Sequence, residues 1–305
     1  VIHAIARRLA WSLLVLWLLV TATFATSFAI PADPARALVG PHADAATVER
    51  VRAELCLDRP FLVAYGCYVG RMARGDFGVS FRLGRPVASL LAEHAWPTVE
   101  LALAAVALQL VLGLPLGVLA AVRRGRAADV AASTLGLLGQ SAPTFFLGPL
   151  FMYLLAYRLG LFPVSGRGGL SHLFLPALTL ASAGVATYTR LVRAEMVDVL
   201  AEDYVRTARA KGLSPSAVVL KHALRNALLP VVTLAGVDLG TLLGGAVVVE
   251  NVFAWPGLGR EAVLAILNVD LPVVLGVVLV GAVAVVVTNL AVDLLYVLLD
   301  PRARR

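Results

Sequence analysis

The chain has 305 residues, of which 60% are hydrophobic and 15% charged. Soluble domains are nearer half apolar and a quarter charged, so the composition excludes an ordinary soluble enzyme and points to a protein solvated by lipid. The formal net charge of +7 reflects cations placed around membrane spans and gives no reason to invoke nucleic acid.

A bilayer-spanning helix needs about 20 mostly apolar residues. On that criterion the chain is expected to be all-α and polytopic, with about six transmembrane helices near 9–30, 99–122, 132–157, 173–188, 228–249 and 271–299. The first follows Arg7 and Arg8. Its apolar run exceeds the roughly 7–15 residues of a signal-peptide core, so residues 1–30 are read as a retained helix.

Residues 31–98 form an expected extracytoplasmic helical element. Asp44 suits a helix cap, with Val48, Val51 and Leu55 following at helical spacing. The run Leu57-Asp-Arg-Pro60 breaks that helix. Pro60 then suits the first turn of a second helix carrying Phe61, Tyr65, Tyr68 and Met72, which Gly75-Asp-Phe-Gly78 ends. An element this size exceeds what a connector needs and is read as a docking surface for an extracytoplasmic partner. Cys56 and Cys67 both lie here. A disulfide is allowed in an oxidising compartment, with two unpaired thiols as the alternative. Without neighbouring His they make no metal site.

Residues 99–305 are expected to hold the other five spans. Pro115, Pro143 and Pro176 predict kinks, with Ser141 and Thr144 placed to satisfy carbonyls freed near Pro143. Between the fourth and fifth spans lies a basic loop, 190–226. Glu202 stands four before Arg206, a favourable helical pairing. Tyr204, Val205 and Ala208 share one face and Arg206 and Arg209 another. Gly212 suits a left-handed helix stop, and Ser214-Pro215 begins a new helix. Asn226 and Pro230 mark the start of the fifth span. There Gly236, Gly240 and Gly244 make a smooth face for close helix packing or for lining a substrate path, and Asp238 is an intramembrane carboxylate expected to face the bundle interior or a wet cavity. Asp293 is expected near interfacial water or Arg190. Glu100 and Glu250 are read as interfacial.

Six spans put both termini on one side. Fifteen of the 26 Lys and Arg residues then fall there, and by the positive-inside rule that side is cytoplasmic.

At 204–230 the sequence resembles the permeases of binding-protein-dependent ABC importers, in the dipeptide/oligopeptide/nickel branch. The family's Glu-Ala-Ala triplet is replaced by Arg206-Thr207-Ala208 ahead of Gly212, and its Ile-x-Leu-Pro ending by His222-Ala-Leu-Arg-Asn226, departures that suit this branch. The likeness continues through Gly75-Asp-Phe-Gly78, Pro97-Thr-Val-Glu-Leu-Ala102, Ser141-Ala-Pro-Thr-Phe-Phe146, Phe162-Pro-Val-Ser-Gly166, Leu175-Pro-Ala-Leu-Thr-Leu180, Glu250-Asn-Val-Phe-Ala-Trp-Pro-Gly-Leu-Gly-Arg260 and Leu299-Asp-Pro-Arg302. It implies a transport subunit of a bacterial inner membrane, paired with a second homologous permease, two ATPase subunits carrying ATP and Mg, and an extracytoplasmic substrate-binding protein. It also implies that Glu202, Asp203, Tyr204, Arg206, Thr207, Ala208, Arg209, Lys211 and Gly212 couple to the ATPase.

The chain has no Gly-rich Lys-Ser/Thr phosphate loop, so no ATP site, cofactor or catalytic residue is expected within it. A secondary transporter would show paired halves with broken helices, and no repeat is evident. An intramembrane enzyme would need a nucleophile–base pair or metal cluster in the spans, and the histidines lie near span ends. Dipeptides or oligopeptides are the expected cargo, with nickel or a metal chelate as the alternative.

Overall fold

The computed structural model describes residues 2–29, 35–36, 44–54, 56–127, 129–132, 134 and 142–299, and among them the chain is helical with no strand beyond one isolated bridge. Eleven helices are used below. They are α1 Ile2–Ala29, α2 Ala45–Glu54, α3 Phe61–Ala73, α4 Val87–Val122, α5 Thr144–Phe151 and α6 Leu170–Ala201. They continue with α7 Asp203–Ala210, α8 Leu224–Gly245, α9 Val247–Val252, α10 Leu258–Leu267 and α11 Leu271–Leu299. Two stretches are wound more widely, as π-helix. Met152–Arg158 continues α5, and Val218–Ala223 leads into α8.

Among the described residues, four helices are long and apolar enough to cross a membrane: Val87–Val122, Leu170–Ala201, Pro215–Gly244 and Leu271–Val292. Three of them extend beyond the expected apolar segment at one or both ends, and α11 matches it. α4 begins 12 residues before the expected start at 99, because Ser89, Glu93 and His94 are polar yet good enough helix formers to continue it. α6 runs on through Arg190 and Arg193 to Ala201, so the first part of the expected loop 190–226 is helix. Pro230 lies inside α8. Pro143 sits at the N-cap of α5 and produces no kink, since a proline ahead of the first turn removes no helical hydrogen bond. Ser141 lies outside the described residues. Pro60 likewise stands at the cap of α3, one position before the expected first turn.

The chain divides into two compact units, Val1–Thr98 with Pro256–Val287, and Val99–Trp255 with Thr288–Arg305. In the first, Val87, Leu90 and Leu91 pack with Leu258, Ala265, Val273 and Val277. Buried Asp270 accepts from the Ser80 hydroxyl and, at 3.1 and 3.3 Å, from the Phe81 and Arg82 amides. A carboxylate used in this way ties the 80–83 turn to the start of α11. Cys56 and Cys67 are joined by a disulfide between the turn after α2 and the middle of α3.

In the second unit, one cluster gathers Leu101, Leu175, Phe253 and Trp255, and another gathers Tyr188, Val192, Met196, Ala227 and Val231. Lipid tails are as apolar as these side chains, so close packing rather than hydrophobicity holds such helices together. Gly113 and Gly117 supply it. A Cβ at Gly117 would lie 2.6 Å from that of Val192, and one at Gly113 2.7 Å from that of Tyr188. Either side of this contact an ion pair joins the same two regions. Arg167 holds Glu100 at 2.7 Å, and Arg193 holds Asp129 at 2.6 and 2.8 Å.

Candidate functional site

α7 joins the ends of two long apolar helices. α6 stops at Ala201 because Glu202 turns to extended backbone (φ −68°, ψ 148°). The Glu202 carbonyl then accepts from the Val205 and Arg206 amides and starts α7. An isolated eight-residue helix is marginal in water. Here it is pinned by one stripe, as Val205 and Ala208 are buried against Val218, Val199 and Leu200. Burying a valine fully is worth about 1.5–3 kcal/mol against leaving it in water.

Every other α7 residue is exposed. Arg206 pairs with Asp203 at 3.0 Å, rather than with Glu202, because Glu202 is outside the helix and off the expected register. The Thr207 hydroxyl donates to the Asp203 carbonyl. Asn226 donates to the Tyr204 hydroxyl at 2.6 Å, tying α7 to the first turn of α8. Arg209 and Lys211 are exposed beside the C-terminus. Gly212, at φ +75°, closes α7 by donating to the Arg209 carbonyl. Ser214 caps the next turn, accepting from the Ala217 amide, with Pro215 behind it. The result is a short polar helix on an apolar pad, with glycine and serine marking its exit.

Behind it, Arg193 and Asp129 form a bracket. Asp129 also accepts from the Gly125 amide at 2.9 Å. The guanidinium and that amide hold its carboxyl down to about 2. The loop after α4 is thereby fixed to α6, ten residues before the start of α7.

The glycine face of α8 is occupied within the chain. Gly236 lies against Val292 and Gly240 against Thr288 and Asn289, all on α11, while Gly244 is exposed. Asp238 turns elsewhere, toward the buried Tyr188 hydroxyl of α6. Tyr188 Oη, Gln109 Oε1 and Thr189 Oγ1 are all buried without a hydrogen-bond partner among the described residues, and Gln109 lies over Gly184. Glu250, read as interfacial, is fully buried. The chain turns back just beyond it, the Trp255 amide donating to the Glu250 carbonyl at 2.8 Å. Glu100 is paired with Arg167, which also reaches over the Trp255 ring. The Asp293 side chain lies outside the described residues. Among those searched, no group of His, Cys, Asp and Glu could hold a metal.

Sequence reasoning did not pick out Tyr188, Gln109, the Asn226–Tyr204 tie or the Asp129–Arg193 bracket. Each acts across 22 or more residues of chain, where periodicity is silent. The Gly113-x-x-x-Gly117 spacing was a usable signal.

Comparison with known proteins agrees with this arrangement. The family described as "Binding-protein-dependent transport system inner membrane component" matches residues 113–305, and its N-terminal counterpart matches 1–102. The chain is 41% identical, over 303 residues and 99% of both chains, to the glutathione transport system permease protein GsiC of Escherichia coli (strain K12), and equally to that of Shigella boydii serotype 4 (strain Sb227). In fold it is similar to a chain of the MetNI methionine ABC transporter in an inward-facing conformation, at TM-score 0.59 and 23% identity, covering 69% of this chain and 96% of that one. The chain belongs to the inner-membrane permeases of binding-protein-dependent ABC importers, in the dipeptide/oligopeptide/nickel branch.

Proposed function

We propose that the chain forms half of the translocation path of an ATP-driven importer of small peptides, and that α7 is where ATP hydrolysis in partner subunits is felt. The observation that carries this is α7 itself, a helix exposed on all but one stripe and joined directly to two membrane-crossing helices. A surface built to be gripped has this form, because force on it moves α6 and α8. Its partners are two ATPase subunits with Mg and ATP, a second homologous permease and an extracytoplasmic binding protein. α7 faces the cytoplasm, as do both termini. Glutathione is a small peptide, and the 41% relatives named for its transport support peptide-like cargo. Asp238, directed away from the glycine face, lines the path.

The test is Gly212→Val in the reconstituted complex. A β-branched residue at φ +75° is strained, so uptake and ligand-stimulated ATP hydrolysis should fall while the subunits still co-purify. Normal values for both would refute the role of α7. In parallel, glutathione, dipeptides and a nickel chelate are compared as stimulants of ATP hydrolysis with the cognate binding protein. Stimulation by the chelate alone would overturn the peptide assignment.

A further inference from the structure

The disulfide-bonded hairpin of the first unit pairs two helices of opposite character. α2, Ala-Ala-Thr-Val-Glu-Arg-Val-Arg-Ala-Glu, is polar and carries an exposed Glu49–Arg52 ion pair. α3, Phe-Leu-Val-Ala-Tyr-Gly-Cys-Tyr-Val-Gly-Arg-Met-Ala, has one charged residue, Arg71, which is held by Asp76 at 2.7 Å. One side of α3 packs on α1, where Phe24 meets the rings of Phe61, Tyr65 and Tyr68, and Thr21 bonds the Tyr65 hydroxyl at 2.7 Å. The other side carries Leu62 (79% exposed), Val63 and Gly66, with no polar side chain among them. At 13 residues α3 is too short to span a bilayer and has the length of an interfacial or re-entrant segment.

The place where α3 meets α1 fixes its depth. Arg8 marks one end of the apolar part of α1. A hydrocarbon core of about 30 Å, at about 1.5 Å per residue, then ends about 20 residues later, near Phe28. Thr21 and Phe24 lie about 6–10 Å short of that boundary by the same rise. At that depth the bare face of α3 has acyl chains around it, as do the exposed apolar side chains Leu13, Trp17 and Leu18 of α1. Exposed Arg59 and Arg74 stand just beyond its two ends, suited to reach phosphate headgroups. The tyrosines suit the same boundary.

We propose that α3 is a lipid-embedded anchor, its Leu62–Val63–Gly66 face set in the outer leaflet, and that the disulfide hangs α2 from it on the aqueous side. A dissociable soluble partner would then meet α2 and not α3.

The experiment uses the full chain with its accompanying subunits in vesicles of phosphatidylethanolamine and phosphatidylglycerol. Leu62 or, separately, Glu49 is replaced by p-benzoyl-phenylalanine and irradiated with the binding protein present. Phospholipid adducts should form at position 62 and be lost at position 49. Cross-links from position 62 to the binding protein or another subunit, without lipid adducts, would overturn the proposal. Amide exchange of residues 61–73 in the unmodified chain gives a second readout that does not depend on the label. It should slow in vesicles relative to lipid-free amphipol, and equal rates in both would also overturn the anchor.

Discussion

Asp238 and Asp129 are both carboxylates set among helices, and the structure gives them different tasks. Asp129 is satisfied within the chain by a guanidinium and an amide. Asp238 faces the Tyr188 hydroxyl, which has no hydrogen-bond partner among the described residues, and no Lys or Arg among them pairs with it. A carboxylate within a span costs roughly 2.5–3.5 kcal/mol on insertion scales, so a counter-charge or water beyond the described residues is expected to offset it. The flanking glycines serve the close helix packing expected of them, against α11 of the same chain. Asp238→Asn, which keeps shape and hydrogen bonding, should therefore lower uptake with the complex intact. Loss of the partner permease on purification would instead assign Asp238 to assembly. For Asp129 the sign follows from a depressed folded value. Its contribution is present above the ordinary carboxylate value of 3.8 and is lost as pH falls toward about 2. The difference in thermal stability between wild type and Asp129→Asn should be flat from neutral pH to about 5 and close below about 4. A difference that varies between pH 6 and 8 would contradict the bracket.

α7 depends on its buried stripe more than on its sequence propensity. Val205→Asp places a charge on the Val218 pad and should detach α7 while leaving the membrane helices assembled. The expected result is loss of the ATPase subunits on purification with the partner permease retained, and retention of both would mean that α7 is held by something else. Much of this element was legible in the sequence. Gly212, Ser214 and Pro215 each impose a local backbone geometry, and local geometry is what single residues encode. The ends of the neighbouring helices were less so. Hydropathy sees where apolar residues stop, and α6 outlives that point because Arg190, Arg193 and Glu195 are comfortable in a helix at a membrane surface. The Asp203–Arg206 pair was missed for a related reason, since a shift of one residue in where a helix starts changes which side chains meet. Glu250 is buried because the chain turns back just beyond it, a packing detail that span counting does not show.

At the scale of the whole chain, composition and hydropathy yielded an all-helical membrane protein, while the packing partners of each helix stayed hidden. Gly236 and Gly240 announced a close contact without naming α11 as its other half. The element between the first two spans combines an anchor with a polar arm. Replacing residues 44–78 by a short flexible linker should reduce stimulation of ATP hydrolysis at limiting binding protein and leave basal hydrolysis measurable. Unchanged stimulation would reduce the element to a cover over the helix ends.

The contact of α4 with α6 has a mechanical meaning. Two rods touching through Gly113 and Gly117, and cross-tied by Glu100–Arg167 and Asp129–Arg193, behave as a truss. Bending one requires shearing the ties to the other. A push on α7 would therefore travel along this side as displacement and not be absorbed as flexure. On its other side α7 leads into α8 through the widened turns of Val218–Ala223, whose hydrogen bonds have an alternative register one residue shorter. One end of the same short helix is bolted to a girder and the other to a spring, so a stroke on α7, in the role proposed for it, would deliver unequal motion to the two helices it joins.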